Sequence, residues 1–589
     1  MSRPHAWTSA VAAIAASIAF AVAPARGDWP GSGLLLATGP TQQTLPIGLT
    51  GPGGVLQAFW VDAGPSSPYA LYSQHLTVQG TLAPGWPAGG RGVVAVPAAI
   101  SSPKITPDGS GGAIFAWYDY RNSGGRRGIY AVRVDDEAAI LPGWPSSGAV
   151  ICTTNVAGGG PLNDLVAVCS DGAGGAFVAW TDSRNTPPMS TIVYDVFAHH
   201  VLSDGSLDPN WPVSGRALTT GSGYKYPHGL FADGSGGFWL ATENSNATSL
   251  IAATQHDADG TETSRWISPS FSSRVIGVSD GTGGIFLTWR DCRDCLKGGD
   301  AIYAIRLRPG GAPASGWSTT GKLIGASAGD DDLPVIVATG DGAAMIAWLE
   351  TGSSAPDAYV ARRVEANGTF AFPWLGGEKL FVESTDILSG WPLIAPDSDG
   401  GAMFAFRRNR PNLFGSRVSI TAQVPPAFPD TGLSLCTLSG NQFPVSLVSD
   451  GINGAFLLWQ DYRDYATNSW DVYATRFTRE GEVGSTTTVV VPPPVVPGRL
   501  AMSAPRPNPA SALSSFDLTL PTAAHAQVEV LDLAGRLLVV LHDGDLPAGT
   551  YLVSWDGRDQ DRRRMPPGVY LVRARTASAT AARRIVRMP

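Results

Sequence analysis

A chain of 589 residues exceeds what one ordinary hydrophobic core supports, so it folds as several domains or as a repeat. Hydrophobic content of 43% with 18 Trp excludes a disordered chain, and the 71 Gly and 46 Pro recur at regular places, as in turn-dense β structure. The net charge of −8 excludes the basic footprint of a nucleic-acid binder.

The first element is a leader. Arg3 is followed by an apolar small-residue run from Val11 to Val22 and then Ala25-Arg26-Gly27. Small residues at Ala25 and Gly27 suit signal peptidase, so residues 1–27 are expected to be a signal peptide cut after Gly27, with Ala25 as the alternative. The run is short for a membrane span, and nothing later reaches the needed length. The mature chain is therefore expected to be secreted or displayed at the cell surface.

Residues 28–483 repeat. Asp-Gly-x-Gly-Gly followed by an apolar strand ending in an aromatic gives "DGSGGAIFAWYDYRN" at 108, and near copies at 171, 280 and 450. The anchors are Trp60, Trp117, Trp180, Thr242, Trp289, Trp348, Phe406 and Trp459, spaced by 47–63 residues. Each unit adds a run such as "GIYAVRVD" (128), a Trp-Pro turn with a third run such as "WPSSGAVICTT" (144), and a fourth such as "SPKITP" (102). Four short strands per unit, without a 3.6-residue period, predict the four-stranded sheets of a β-propeller. The eighth unit stops before its Trp-Pro strand, and "DWPGSGLLLATGP" (28–40) supplies one. The expectation is an all-β, eight-bladed propeller closed by the N-terminal strand, with seven blades as the alternative. The repeat resembles those of propellers in exported bacterial proteins, a resemblance that implies no activity.

Five Cys are too few for a disulfide scaffold. Cys152 and Cys169 sit in consecutive predicted strands and are one candidate pair; Cys292 and Cys295 of "DCRDC" are the other. Cys436 is left over and is expected to be buried.

Residues 484–499, rich in Pro, Thr and Val, read as a linker. Beyond it, residues 500–589 form a second β domain, with alternation in "AQVEVLDLAGRLLVVL" (526), "GTYLVSWDG" (549) and "GVYLVRAR" (568). Together with "APRPNPAS" (504), "FDLTLP" (516) and the terminal "ARRIVRMP", these resemble the immunoglobulin-like domain of flagellar hook-capping proteins and the related C-terminal sorting domains of type IX-like secretion systems. Asp561 and the run Arg562–Arg564 depart from that pattern. The resemblance implies an immunoglobulin-like sandwich for sorting or anchoring, with secretion or envelope machinery as its partner.

Two repeated constellations bear on chemistry. Asp-Gly-x-Gly-Gly offers mostly one carboxylate where a calcium loop needs several, so a tight turn is preferred. Calcium stays a candidate only where two carboxylates stand at i, i+2, at Asp397/Asp399 and Asp257/Asp259. In Trp-x-Asp-x-Arg, alternate strand residues share a face. That aligns Trp117, Asp119 and Arg121; Trp180, Asp182 and Arg184; Trp289, Asp291 and Arg293; and Trp459, Asp461 and Arg463. They either crown the ring as a polar binding circle or serve structure, the Trp packing between blades while Asp and Arg tie down the loop. The second is preferred, because a blade interface needs the same residues from every unit and a site seldom does.

No nucleophile or acid–base motif stands out, and no catalytic, metal or cofactor residue is assigned. Function is expected where the repeat breaks: Tyr224, Lys225, Tyr226 and His228 in "GYKYPHG", and Asp330, Asp331 and Asp332 in "AGDDDLP", both read as loops. The expected function is a non-catalytic binding or scaffold module for a surface glycan or protein. The alternative is a glycan-acting or other hydrolase using the propeller's mouth.

Overall fold

The computed structural model describes residues 29–484 and 500–588 apart from short segments, the longest being 154–165. The expected signal peptide and most of the expected linker (485–499) lie outside the described residues. The chain divides into two compact units, Met1–Thr486 and Thr487–Pro589. Among the described residues the structure is all-β, with no α-helix and one 3-10 turn, Pro52–Gly54, among its named elements. No helix there is long and apolar enough to cross a membrane.

The first unit holds eight four-stranded antiparallel sheets. In the second sheet, for example, Ser101–Pro107, Ala113–Asn122, Arg126–Val134 and Ala149–Cys152 pair in chain order. The eighth sheet differs. Gln442–Ser449, Gly454–Asp461 and Asp471–Thr478 are completed by Leu34–Ala37, with Leu34 opposite Ala474. The first strand of each sheet adjoins the first strand of the next, and that of the eighth adjoins that of the first.

Burial follows from this stacking. Second strands are covered on both faces, so Ala176–Asp182 is buried at every position and reads as a continuous apolar run. The core lies between sheets rather than inside one: Phe59 of the first sheet meets Phe115 of the second edge-on, with ring centroids 4.7 Å apart. Several first strands carry a bulge near their start, where Leu45, Ser102, Arg274 and Leu333 take positive φ and the ladder slips.

The second unit is a sandwich of a three-stranded and a four-stranded antiparallel sheet. Phe516, Leu518, Val528, Val530, Trp555 and Val572 fill its core. Glu529 is buried, and its charge is met by Arg573 and Arg575, each at 2.8 Å.

Candidate functional site

The repeated carboxylates are consumed inside the fold. Asp108 accepts the Ser110 and Gly112 N–H groups at 2.8 and 2.9 Å and the Arg133 Nε–H at 2.9 Å. Asp280 repeats this with Thr282, Gly284 and Arg306, and Asp450 with Ile452, Gly454 and Arg476. At Asp397, Arg417 and the Asp399 and Gly401 N–H groups occupy the carboxylate. Asp259 accepts the Thr261 N–H at 2.8 Å. The motif closes a turn and ties it to the third strand.

The Trp-x-Asp-x-Arg sets are likewise internal. The indole N–H of Trp117, Trp180, Trp289 and Trp459 donates to Oδ2 of Asp119, Asp182, Asp291 and Asp461 at 3.0, 3.0, 2.9 and 2.9 Å. Each of these carboxylates is at most 1% exposed. Arg121, Arg184, Arg293 and Arg463 pair with the same Asp. Each also donates to a carbonyl in the turn before the fourth strand: Ser147, Ser214, Thr320 and Ser32. For Asp291, burial pushes the carboxyl up, but Arg293, the Trp289 N–H and the Arg293 N–H together hold it below the usual range. Trp60 keeps the buried ring and Asp62 but lacks the Arg, and Trp348 keeps the ring with Glu350 in the Asp position and no Arg.

A second Trp series carried more than the sequence reading assigned to it. The indole N–H of Trp144, Trp211 and Trp317 donates to the carbonyls of Ser203, Ala258 and Ala366, each in the following sheet. Trp29 does the same to Val78, so the N-terminal segment links the eighth sheet to the first. Its signal was the fixed distance from Trp-Pro to the next strand.

Two expectations are corrected. Cys152 and Cys169 are both buried and are not joined by a disulfide. Cys152 ends the fourth strand of one sheet, while Cys169 sits in the first strand of the next, at opposite edges of their sheets. Cys292 is disulfide-bonded, and Cys295 lies outside the described residues. "GYKYPHG" and "DDDLP" are not loops: they lie in the first strands Tyr224–Ala232 and Asp330–Ala338.

Strand direction places both segments at one end of the first unit, where first strands begin and second strands finish. Tyr226 is buried, and Tyr224 packs on Tyr194 with ring centroids 5.0 Å apart. Lys225 is buried against Asp195 at 3.2 Å and donates to the Gly221 carbonyl. His228 Nε2 lies 3.5 Å from Glu243 Oε2, and Glu243 accepts the Arg274 backbone N–H at 2.8 Å. Arg274 Nε then reaches Asp332 at 3.1 Å, and Arg290 bridges Asp332 at 3.4 Å and Asp300 at 2.7 Å. One chain of polar contacts so crosses three consecutive sheets. Asp330, exposed, accepts the Asp300 N–H; Asp331 is fully buried and accepts the Ser327 N–H. Burial pushes the Asp300 carboxyl up, against the pull of Arg290 and with added push from Asp330 and Asp332.

The same end is also the aromatic one. Among the described residues, the most exposed aromatic side chains are Tyr120 (37%), Phe271 (46%) and Trp391 (39%). All three stand at finishes of second strands or starts of first strands. A cavity of about 630 Å³ is lined from five first strands, by Leu45, Lys104, Val166, His228 and Val445 among others.

Comparison with known proteins bears first on the second unit. Residues 509–580 match the FlgD Ig-like domain. The FlgD Ig-like match covers most of the C-terminal sandwich and none of the first unit. Among solved structures, the chain is similar to "Hadza microbial sialidase Hz136" at 11% identity and a TM-score of 0.32. That likeness covers 65% of this chain and 66% of that one, just under two thirds of the sialidase. It is also similar to a polysaccharide lyase, PL25 ulvanlyase (10% identity, 64% of this chain, 92% of that one, TM-score 0.37). A third is the beta-propeller domain of the Trilobed protease from Pyrococcus furiosus (8% identity, 64% and 95%, TM-score 0.35). No curated protein matches the chain.

Proposed function

We propose that the first unit is an eight-bladed propeller closed by its N-terminal strand, exported to the bacterial cell surface as a non-catalytic binding or scaffold module. The FlgD Ig-like unit then serves for sorting or attachment through the envelope machinery. The observation that carries the binding role is the coincidence of Tyr120, Phe271 and Trp391 with the Arg274–Asp332–Arg290–Asp300 chain at one end. The repeat motifs hold their charges inside, so exposed chemistry gathers only where the sheets differ from one another. Supporting the ring reading, Trp29, Ser32 and Gly33 stand where Trp144, Ser147 and Gly148 stand in the second sheet.

The test is binding of the labelled chain to cell envelopes of the producing bacterium. Loss in a Phe271→Ala/Trp391→Ala double variant, with retention in Ile420→Ala/Ile452→Ala at the opposite end, is the expected result. The reverse pattern overturns the assignment of the binding face.

A hydrolytic reading has one observation behind it: Asp300 holds its proton more readily than an ordinary carboxyl, close to Asp330 and Asp332. Release of reducing ends from a polysaccharide by the parent chain, abolished in Asp300→Asn, would replace the non-catalytic reading.

A further inference from the structure

We propose that the ligand of this face is a neutral glycan, laid across the mouth and held by Phe271, Arg274, Arg290, Asp332 and Trp391. The inference rests on the reading that this end is the binding face, and it names the ligand class.

Charge decides against an anionic ligand. Arg274 and Arg290 stand among Asp300, Asp330 and Asp332. Both guanidinium groups are already within 3.4 Å of carboxylates. An incoming uronate or sulfate would have to displace those carboxylates, and at these two guanidinium groups it would meet three acidic side chains. The same arrangement suits hydroxyl groups, because donor and acceptor residues alternate: Arg274, Asp332, Arg290, Asp300. A sugar hydroxyl both donates and accepts, so it can join such a row without breaking a pair.

The aromatics supply the apolar half of the contact. A pyranose ring presents C–H faces that stack on an aromatic ring, while its edge carries the hydroxyls. Phe271 precedes the first strand of the fifth sheet and Trp391 that of the seventh, with Asp332 of the sixth between them. Arg274 lies over the Trp391 ring at 5.7 Å, so donor and platform are adjacent. A protein partner would be better served by a contiguous apolar patch with a desolvated centre. Here the exposed aromatics stand singly, separated by charged groups.

The full chain is tested on an array of neutral and of uronate- or sulfate-bearing glycans, followed by titration with the strongest binder. Neutral glycans are expected to bind, with affinity little changed up to about 0.5 M NaCl and falling roughly tenfold in Trp391→Ala. Trp391 is exposed, so the variant should keep the parent melting curve. Binding of acidic glycans alone, weakened by salt, overturns the inference. So does neutral-glycan binding that is indifferent to both Trp391→Ala and Phe271→Ala. If no glycan binds while envelope binding still depends on Trp391, the ligand class fails and the binding face stands.

Discussion

His200 occupies the third-strand position where Arg133, Arg306, Arg417 and Arg476 hold the turn carboxylate in other sheets. Its ring bridges Asp171 at 3.0 Å and Asp208 at 2.8 Å. Burial pulls its pKa down, but the two carboxylates outweigh that, and the net displacement is upward. A folded pKa above the unfolded value of about 6.5 means the contribution to stability is complete below that pH. It is lost as pH rises through the folded value. The contribution of His200 to the melting temperature should therefore decline from mildly acidic to alkaline pH, against the opposite trend of buried His75, His199 and His256, and His200→Arg should change the slope by removing that decline. An unchanged slope would refute the role. The buried pair at Asp291 is a second residue-scale case. Asp291→Asn leaves Arg293 without its charge partner and should cost about 3 kcal/mol in urea unfolding. Asp259→Asn, at an exposed turn, should leave the urea midpoint in place.

At the scale of the element, the Trp-Pro strand depends on a glycine over which the core Trp lies. Gly33 has φ +84°, and a Cβ there would sit 2.1 Å from the Trp459 ring. Gly109 has φ +80° with nothing within 4 Å. Gly109→Ala should cost about 1 kcal/mol from backbone strain alone. Gly33→Ala should cost clearly more, because the N-terminal strand must shift off the eighth sheet. Equal urea midpoints would mean that this strand contributes little. The strands themselves were legible because glycine turns and apolar runs are local signals. The binding end was less so. "DDDLP" reads as a loop from three consecutive carboxylates, yet Asp331 is buried by bonds to backbone, and Leu333 forms a bulge before Pro334. Nothing local announces that Asp332 will meet Arg274 and Arg290, which stand 58 and 42 positions away and come from another sheet.

For the whole molecule, the two compact units imply separable roles. Removing residues 500–589 should leave the propeller's melting temperature within about 2 °C of the parent, because its sheets draw no strand from the second unit. The truncated chain should still be exported but should no longer be retained at the surface, measured by fractionation of cells and medium. Unchanged retention would remove the sorting role from the FlgD Ig-like unit. The Cys152–Cys169 pairing failed at this scale too: residues of consecutive strands fell on opposite edges of adjacent sheets.

The pairing of Leu34 with Ala474 also sets the order of assembly. During synthesis at about 5–20 residues per second, the N-terminal strand waits roughly 20–90 s for its partner to exist. Through that interval seven sheets can condense on local contacts, while the eighth stays one strand short. Contact order is concentrated in this single seam, so refolding should be limited there rather than by the blades. The seam is where a holdase would be most useful and where a nascent chain is most open to pairing with a second copy of itself.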